Sequence, residues 1–321
     1  MTGVNRSLLE ALHGVELEQE TATAGVGEDR IAADSTRELQ ARLAAAFYGQ
    51  WHVGNPLAQE TSPGGALYDQ DLADLLRSRV PHEAASVTAQ VRGRDGSAAV
   101  VVLDGLRVAV PSDALPEDAS PGDPVELSID PVRPALSPGF LLADSSRGRP
   151  SGGPLLRCYV HIVDAVAAPD IWGTCLSILE DVGVPYRAKV LSRRAAYPRR
   201  DAFVAYLRPD AGKAVFSLSN VSSLPGVGHA TSVFTHQIAP GVAFGWDPDD
   251  PRSARHRRRS FGEHRSAVLA EALIEHAASG STALPLTEHI ADALRAAGID
   301  PTAPHRNLSS PRIEEDKPLS C

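Results

Sequence analysis

Apolar residues follow two distinct spacings along this chain. Leu39, Leu43 and Phe47 recur four apart within Ser35–Tyr48, and Ser7–Leu12 and Asp71–Arg79 have helix-like spacing too, which predicts helices with one buried stripe. Short β-type runs follow at Val87–Gly93, Ala98–Leu103, Leu106–Val110 and Val125–Asp130. Arg94-Asp95-Gly96, Asp104-Gly105 and Pro121-Gly122-Asp123 separate them, as turn residues do between strands, and a small twisted sheet or barrel is expected. Glu18–Ala33 and Val53–Gly65 are polar or rich in Gly and Pro and read as loops.

Ser145–Pro154, rich in Ser, Gly, Arg and Pro, is the expected domain boundary. Beyond it the pattern gives strand 155–163, helix 169–182, strands 185–191 and 202–208, helix 211–222, strands 232–238 and 242–246, and helices 261–278 and 286–297. The expected class is α+β. An N-terminal helical segment and a small β unit occupy 1–145, a mixed α/β domain occupies 150–308, and a disordered tail occupies 309–321.

Composition narrows the function. At 321 residues the chain suits one large or two modest domains, and 43% hydrophobic residues suffice for a core. The net charge of −9 argues against a general binder of nucleic acid or anionic membrane. Arg252–Arg265 is locally basic, and its Arg255–Arg259 run reads as a solvated loop. Cys158, Cys175 and Cys321 have no metal-like spacing, and their odd number makes a poor disulfide framework. Cys158 and Cys175 read as packing residues. No apolar run approaches the ~20 residues of a membrane span, and a cytoplasmic location is expected.

The candidate chemistry lies in the second half. Strand parity puts Tyr159 and His161 on one face of their strand, and likewise Arg187 and Lys189. Tyr197-Pro198-Arg199-Arg200 leads into the next strand, and Phe261–Arg265 opens a helix. Such a set suits a doubly charged phosphate and a proton transfer. Eliminating phosphate from phosphoserine or phosphothreonine needs a base for the α-proton, charge stabilisation, and a proton for the leaving oxygen. Lys189, flanked by Arg187, Arg193 and Arg194, is the candidate base and His161 the candidate acid. Arg200 and Arg265 are candidate phosphate forks, Arg265 in the first turn of a helix near its positive end. The chemistry asks for no metal or cofactor.

Each residue alone has a plainer reading: His161 as a hydrogen-bonded core residue, Lys189 as a solvated strand residue, Arg199-Arg200 as a surface turn. Asp247-Pro248-Asp249-Asp250 lacks the Gly and distal Glu of a Ca²⁺ loop. Gly226-Val227-Gly228 is too short for a phosphate loop, and the chain has no Gly-x-Ser-x-Gly elbow. The residues themselves lead as far as an anion site with a proton-transfer pair.

Several segments together resemble a known family. They are Gly183–Leu191, Ala196–Ala202, Phe234-Thr235-His236-Gln237-Ile238-Ala239-Pro240-Gly241-Val242 and Ser260–Arg265. Over about residues 150–308 the chain resembles the Hop-type (type III effector) lyase-like proteins found beside class V lanthipeptide and thioamitide precursors. The resemblance implies a lyase-like domain that eliminates phosphate from a phosphorylated precursor peptide, leaving dehydroalanine or dehydrobutyrine. It implies a kinase-like phosphotransferase and a cyclase as partners, with neither nucleic acid nor membrane. It places the base on Lys189 and the acid on His161, with Arg200, Arg265, Tyr159, Arg187, Tyr206, His236 and Thr235 contacting phosphate or substrate. The family usually has Arg after the Phe-Thr pair, where this chain has His236. The alternative is a non-catalytic phosphopeptide- or leader-binding partner of a kinase-like enzyme, with the β unit at 87–130 supplying an edge strand for the peptide; on either reading residues 1–145 are the expected place for leader docking.

Overall fold

A computed structural model describes residues 3–18, 22–55, 68–252, 259–279 and 284–313. Parts of the expected loop Val53–Gly65, the run Arg255–Arg259 and the tail 309–321 therefore lie outside the described residues, as does Cys321. The four-apart stripe Leu39, Leu43 and Phe47 is the buried face of helix α2 (Thr36–Phe47), which starts where the Ser35 side chain accepts from the Glu38 amide. Ahead of it come α1 (Arg6–Leu12) and a three-stranded sheet of β1 (Val15–Glu18), β2 (Thr23–Val26) and β3 (Asp29–Ala32). The loop expected over Glu18–Ala33 thus contains two strands. Four-residue strands built largely from small or charged residues leave no alternation to read.

After α3 (Gln70–Ser78), the expected small sheet forms from β4 (Ala85–Asp95), β5 (Ala98–Leu103), β6 (Leu106–Pro111) and β7 (Pro124–Ile129), in the order β6-β5-β4-β7. Its own core contains Ala89, Val91, Val101 and Leu127. The remaining strands are β8 (Val132–Ser137), β9 (Phe140–Asp144), β10 (Leu156–Ile162), β11 (Arg187–Leu191), β12 (Arg199–Leu207), β13 (His236–Ala239) and β14 (Val242–Trp246). They make one antiparallel sheet in the order β13-β14-β10-β12-β11-β9-β8. Because β9 pairs with β11, Ser145–Pro154 joins two strands of the same sheet. The division expected at 145–150 runs through that sheet.

Parity divides this sheet between two cores. Cys158, Val160 and Ile162 of β10 and Phe203, Ala205 and Leu207 of β12 pack on α4 (Ala168–Val182) through Trp172, Cys175, Leu176 and Leu179. The Trp172 indole donates to the Leu76 carbonyl at 3.0 Å and so satisfies its one polar atom. Cys158 and Cys175 are buried free thiols, as expected for packing residues. α5 (Gly212–Ser217) closes the edge of this layer. Tyr159 and Val204 face the other way, into a core shared by α2, α6 (Phe261–Ala278) and α7 (Leu286–Ala296). Ser260 and Glu263 form a capping box at the start of α6. No helix among the described residues is long and apolar enough to cross a membrane.

The contact between α6 and the segment after α2 is tight. A Cβ at Gly262 would lie 2.2 Å from His52 Cδ2, and that ring is fixed by its own hydrogen bond to Ser232. Gly262→Ala is expected to cost about 1–3 kcal/mol, measured as a lowered urea midpoint with unchanged slope. A midpoint equal to the parent's would show that the ring yields freely.

Candidate functional site

On the face towards α2 and α6, the sheet register sets out rows of side chains. One row runs Arg157, Tyr206, Arg187, Asp144 across β10, β12, β11 and β9, and the next runs Tyr159, Val204, Lys189, Leu142. β10 and β11 run in the same direction, so His161 lies two residues beyond the second row at the same end as Leu191 and its partner Phe140. The Lys189 ammonium leans that way, 4.1 Å from the centroid of the Phe140 ring. Their strands are two spacings apart, roughly 10 Å, and His161 lies one side-chain row, roughly 7 Å, further along β10 than the row of Lys189.

Between them β12 bulges. Val160 pairs with Phe203 and Ile162 with Arg199, so two steps on β10 are matched by four on β12. Bulges re-aim side chains, and this one presents Arg199, Arg200 and Asp201 to the segment after α2. That segment, Tyr48–Val53, is a π-helical turn closed by the Gly54 amide donating to the Gly49 carbonyl, with Gly54 left-handed at φ 75°. The carbonyls of Gln50 and Trp51 accept from Arg200 Nη1 at 3.1 and 3.2 Å, that of Trp51 also accepting from the Val233 amide at 3.1 Å. Asp201 takes both forks of Arg199 at 2.8 Å, and His52 Nε2 stands 3.9 Å from Asp201. His52 Nδ1 lies 2.9 Å from the Ser232 hydroxyl. Desolvation alone would raise the Asp201 carboxyl, but Arg199 more than offsets it and holds the carboxyl well below the usual range.

The arginines and the lysine differ in how their charge is met. Arg157 pairs with Asp247, Arg187 with both oxygens of Asp144 at 2.6 and 2.9 Å, Arg199 with Asp201, and Arg149 with Asp104. Among the described residues neither Lys189 nor Arg200 forms an ion pair with a carboxylate, although the Lys189 charge still helps to hold the Asp201 carboxyl down from a greater distance. Arg200 is half-buried, and burial lowers its pKa, so its charge is under-compensated. His161 sits close by. A Cβ at Gly228 would lie 2.4 Å from its Nδ1, so only glycine lets the backbone approach this ring. Nδ1 is 2.9 Å from the Ala230 carbonyl, which can only accept, so Nδ1 carries a proton and Nε2 is the exchangeable position. Desolvation, reinforced by Arg200 and His229, holds the His161 pKa below 6.5.

The other expected residues lie elsewhere or are already engaged. Arg265 is buried; it donates to the Pro304 carbonyl, Nη2 donates to Asn307 Oδ1, and Nη1 lies 2.9 Å from His264 Nδ1, so it straps α6 to residues 304–307. As a phosphate fork it is out of reach of solvent. Tyr159 is likewise buried, against His52 and Phe261. Thr235 Oγ1 donates to the Ser232 carbonyl. His236 is exposed on edge strand β13 against Phe244 and His305, four strand spacings, roughly 19 Å, from β11. Asp250 is buried and binds Arg252 and His264, which gives the Asp247–Asp250 run a structural role. Sequence reasoning missed Tyr48, His52, Asp201 and Phe140. Asp201 lay inside a quoted segment, beside two arginines that needed a counter-charge.

On the far side of Lys189 from His161, an open groove of about 510 Å³ is lined by Leu142, Arg187, Lys189 and Tyr206, with Arg149–Ser151 and Leu155 as its rim.

Comparison with known proteins places the chain in a family. The model described as "HopA1 effector protein family" matches residues 132–306, more than half of the 321, and the chain belongs to that family. A solved effector protein from Pseudomonas syringae pv. tomato strain DC3000 is similar at 13% identity and a TM-score of 0.49, over 86% of this chain and 91% of that one. A second, from Pseudomonas syringae pv. syringae strain 61, is similar at 16% identity and a TM-score of 0.44, over 83% and 98%. No curated protein matches.

The buried imidazole gives the fold a pH dependence. Desolvation lowers the His52 pKa to about 4 despite Asp201. The unfolded chain protonates this residue near 6.5, so between those values the unfolded state holds more protons and stability rises with pH, being lost as the solution is acidified. His52 is expected to account for about 2 kcal/mol of the loss between pH 7.5 and pH 5. Urea unfolding of the parent and of His52→Gln at both pH values checks this. An equal pH-dependent loss in both proteins would contradict it.

Proposed function

We propose that this member of the HopA1 effector protein family is a phosphoserine/phosphothreonine lyase. It would act on a phosphorylated precursor peptide to leave dehydroalanine or dehydrobutyrine in lanthipeptide-type maturation. The observation that carries the reading is the charge pattern of one sheet face. Its other strand-borne cations are ion-paired, while among the described residues Lys189 and Arg200 form no ion pair with a carboxylate, and the Lys189 side chain leans towards the end that holds Arg200 and His161. Such a surplus suits a dianion.

In this reading the phosphorylated residue sits between β10 and β11. Lys189 gives up its proton to solvent, and its free amine then removes the α-proton; the released pair forms the Cα–Cβ double bond as the Cβ–O bond breaks. Phosphate departs onto Arg200, and His161 Nε2 delivers a proton to the leaving oxygen. His161 is neutral at pH 7 in the free protein because burial and Arg200 oppose its charge. A docked dianion reverses that balance, so the acid is loaded as the substrate binds. A kinase-like phosphotransferase would supply the phosphopeptide, and a cyclase would use the alkene.

One observation favours a second reading, a non-catalytic phosphopeptide-binding partner of a kinase-like enzyme. An ammonium seated on the Phe140 ring is placed to hold an anion without accepting a proton. Purified variants separate the two. Lys189→Ala is expected to lose about 10²–10⁴-fold in the rate of phosphate release from a synthetic phosphothreonine peptide while binding it within a few-fold. Arg200→Ala is expected to weaken binding itself. Phosphate release by Lys189→Ala at the parent rate would remove Lys189 from the chemistry.

A further inference from the structure

The groove beside Lys189 is built differently from the anion site. Its floor takes one side chain from each of three strands, Leu142, Lys189 and Tyr206, with Arg187 at the far end. Arg187 is closed by Asp144 and the rim residue Arg149 by Asp104, so two of the three cations lining the groove are already met. The Arg157 guanidinium lies over the Tyr206 ring, 5.0 Å from its centroid, and fixes the ring in place. Pro150 and Leu155 supply apolar rim, and Arg208 Nη1 pins this rim by donating to the carbonyls of Ser151 and Gly152 at 2.6 and 2.7 Å. The wall is therefore held from both sides and does not depend on a ligand for its shape.

Charge decides what fits. A second phosphate or an acidic side chain would find no free fork on the groove floor, because Arg187 would first have to leave the nearly buried Asp144 and Lys189 is taken by the phosphate, while the exposed Arg149–Asp104 pair at the rim holds little either way. An apolar side chain would cover Leu142, Leu155, Pro150 and the Tyr206 ring without disturbing either pair. A volume of about 510 Å³ is also that of a small-ligand pocket and exceeds what one side chain needs. We infer that this groove is a specificity subsite for an uncharged apolar or aromatic side chain within two residues of the phosphorylated one in an extended peptide. The inference rests on the lyase reading for the position of the phosphate, since Lys189 forms the shared wall.

Four phosphothreonine peptides, with Phe, Leu, Ala or Asp at the flanking positions, and their unphosphorylated counterparts test this by titration and by phosphate release. The Phe and Leu peptides are expected to bind about tenfold more tightly than the Asp peptide. In Tyr206→Ala and in Leu155→Ser that ratio is expected to fall towards one, while both variants keep the parent's circular dichroism and melting cooperativity. Equal binding of all four phosphopeptides with normal phosphate release would overturn the subsite and leave the lyase reading intact. A Phe preference in the unphosphorylated set with no phosphate release from any peptide would keep the subsite and remove the lyase.

Discussion

The Arg199–Asp201 pair, closed over His52, is the interaction on which the site depends. Both partners sit on the bulge of β12, and Asp201 is fully committed to Arg199 by two 2.8 Å bonds. The pair faces a π-helical turn, and Arg200, the residue between, donates to two of its carbonyls. Removing Asp201 would strand a nearly buried guanidinium, the kind of change that costs about 3–5 kcal/mol. With it would go the seat of Arg200 and the cover over Tyr159. The same network explains why the N-terminal helix belongs with the second half of the chain: α2 delivers the turn that completes the site.

From this scaffold follows a partition of charge. Carboxylates close Arg157, Arg187, Arg199 and Arg149, and each closed pair serves geometry. Lys189 instead rests on a ring and Arg200 donates to two carbonyls, and neither contact brings a full negative charge. His161, held with its proton on Nδ1, faces the same end of the strands. A surplus of positive charge beside a titratable imidazole is what the proposed phosphate-ester reading rests on, and the closed pairs beside Lys189 are what the proposed apolar subsite rests on.

Much of this was legible in the sequence where periodicity is strong. The small sheet from Ala85 to Ile129, strand β10, helix α4 and helix α6 match the expected spans to within two residues. Strands β8 and β9 have no counterpart among the expected elements; Pro134 interrupts the first run and Pro138-Gly139 separates the two. Their partner lies beyond Ser145–Pro154, so a loop composition was mistaken for a boundary. Among site residues, strand parity puts Arg187 and Lys189 on one face, and their rows in the sheet follow it, whereas the approach of Arg200 to His161 comes from the β12 bulge, which parity does not show. Arg265 could not be placed from its helix position, since only the fold shows Pro304 and Asn307 closing over it. His52 was invisible for the opposite reason. It lies far from the other site residues in sequence, and nothing in Tyr48–Val53 announces a π-turn.

Phosphorus NMR of a phosphothreonine peptide mixed with the purified protein at neutral pH tests the central claim most directly. The account predicts that the peptide ester resonance is replaced by inorganic phosphate while a vinyl methyl signal appears in the proton spectrum. An ester resonance that shifts and broadens on binding yet persists undiminished would contradict it.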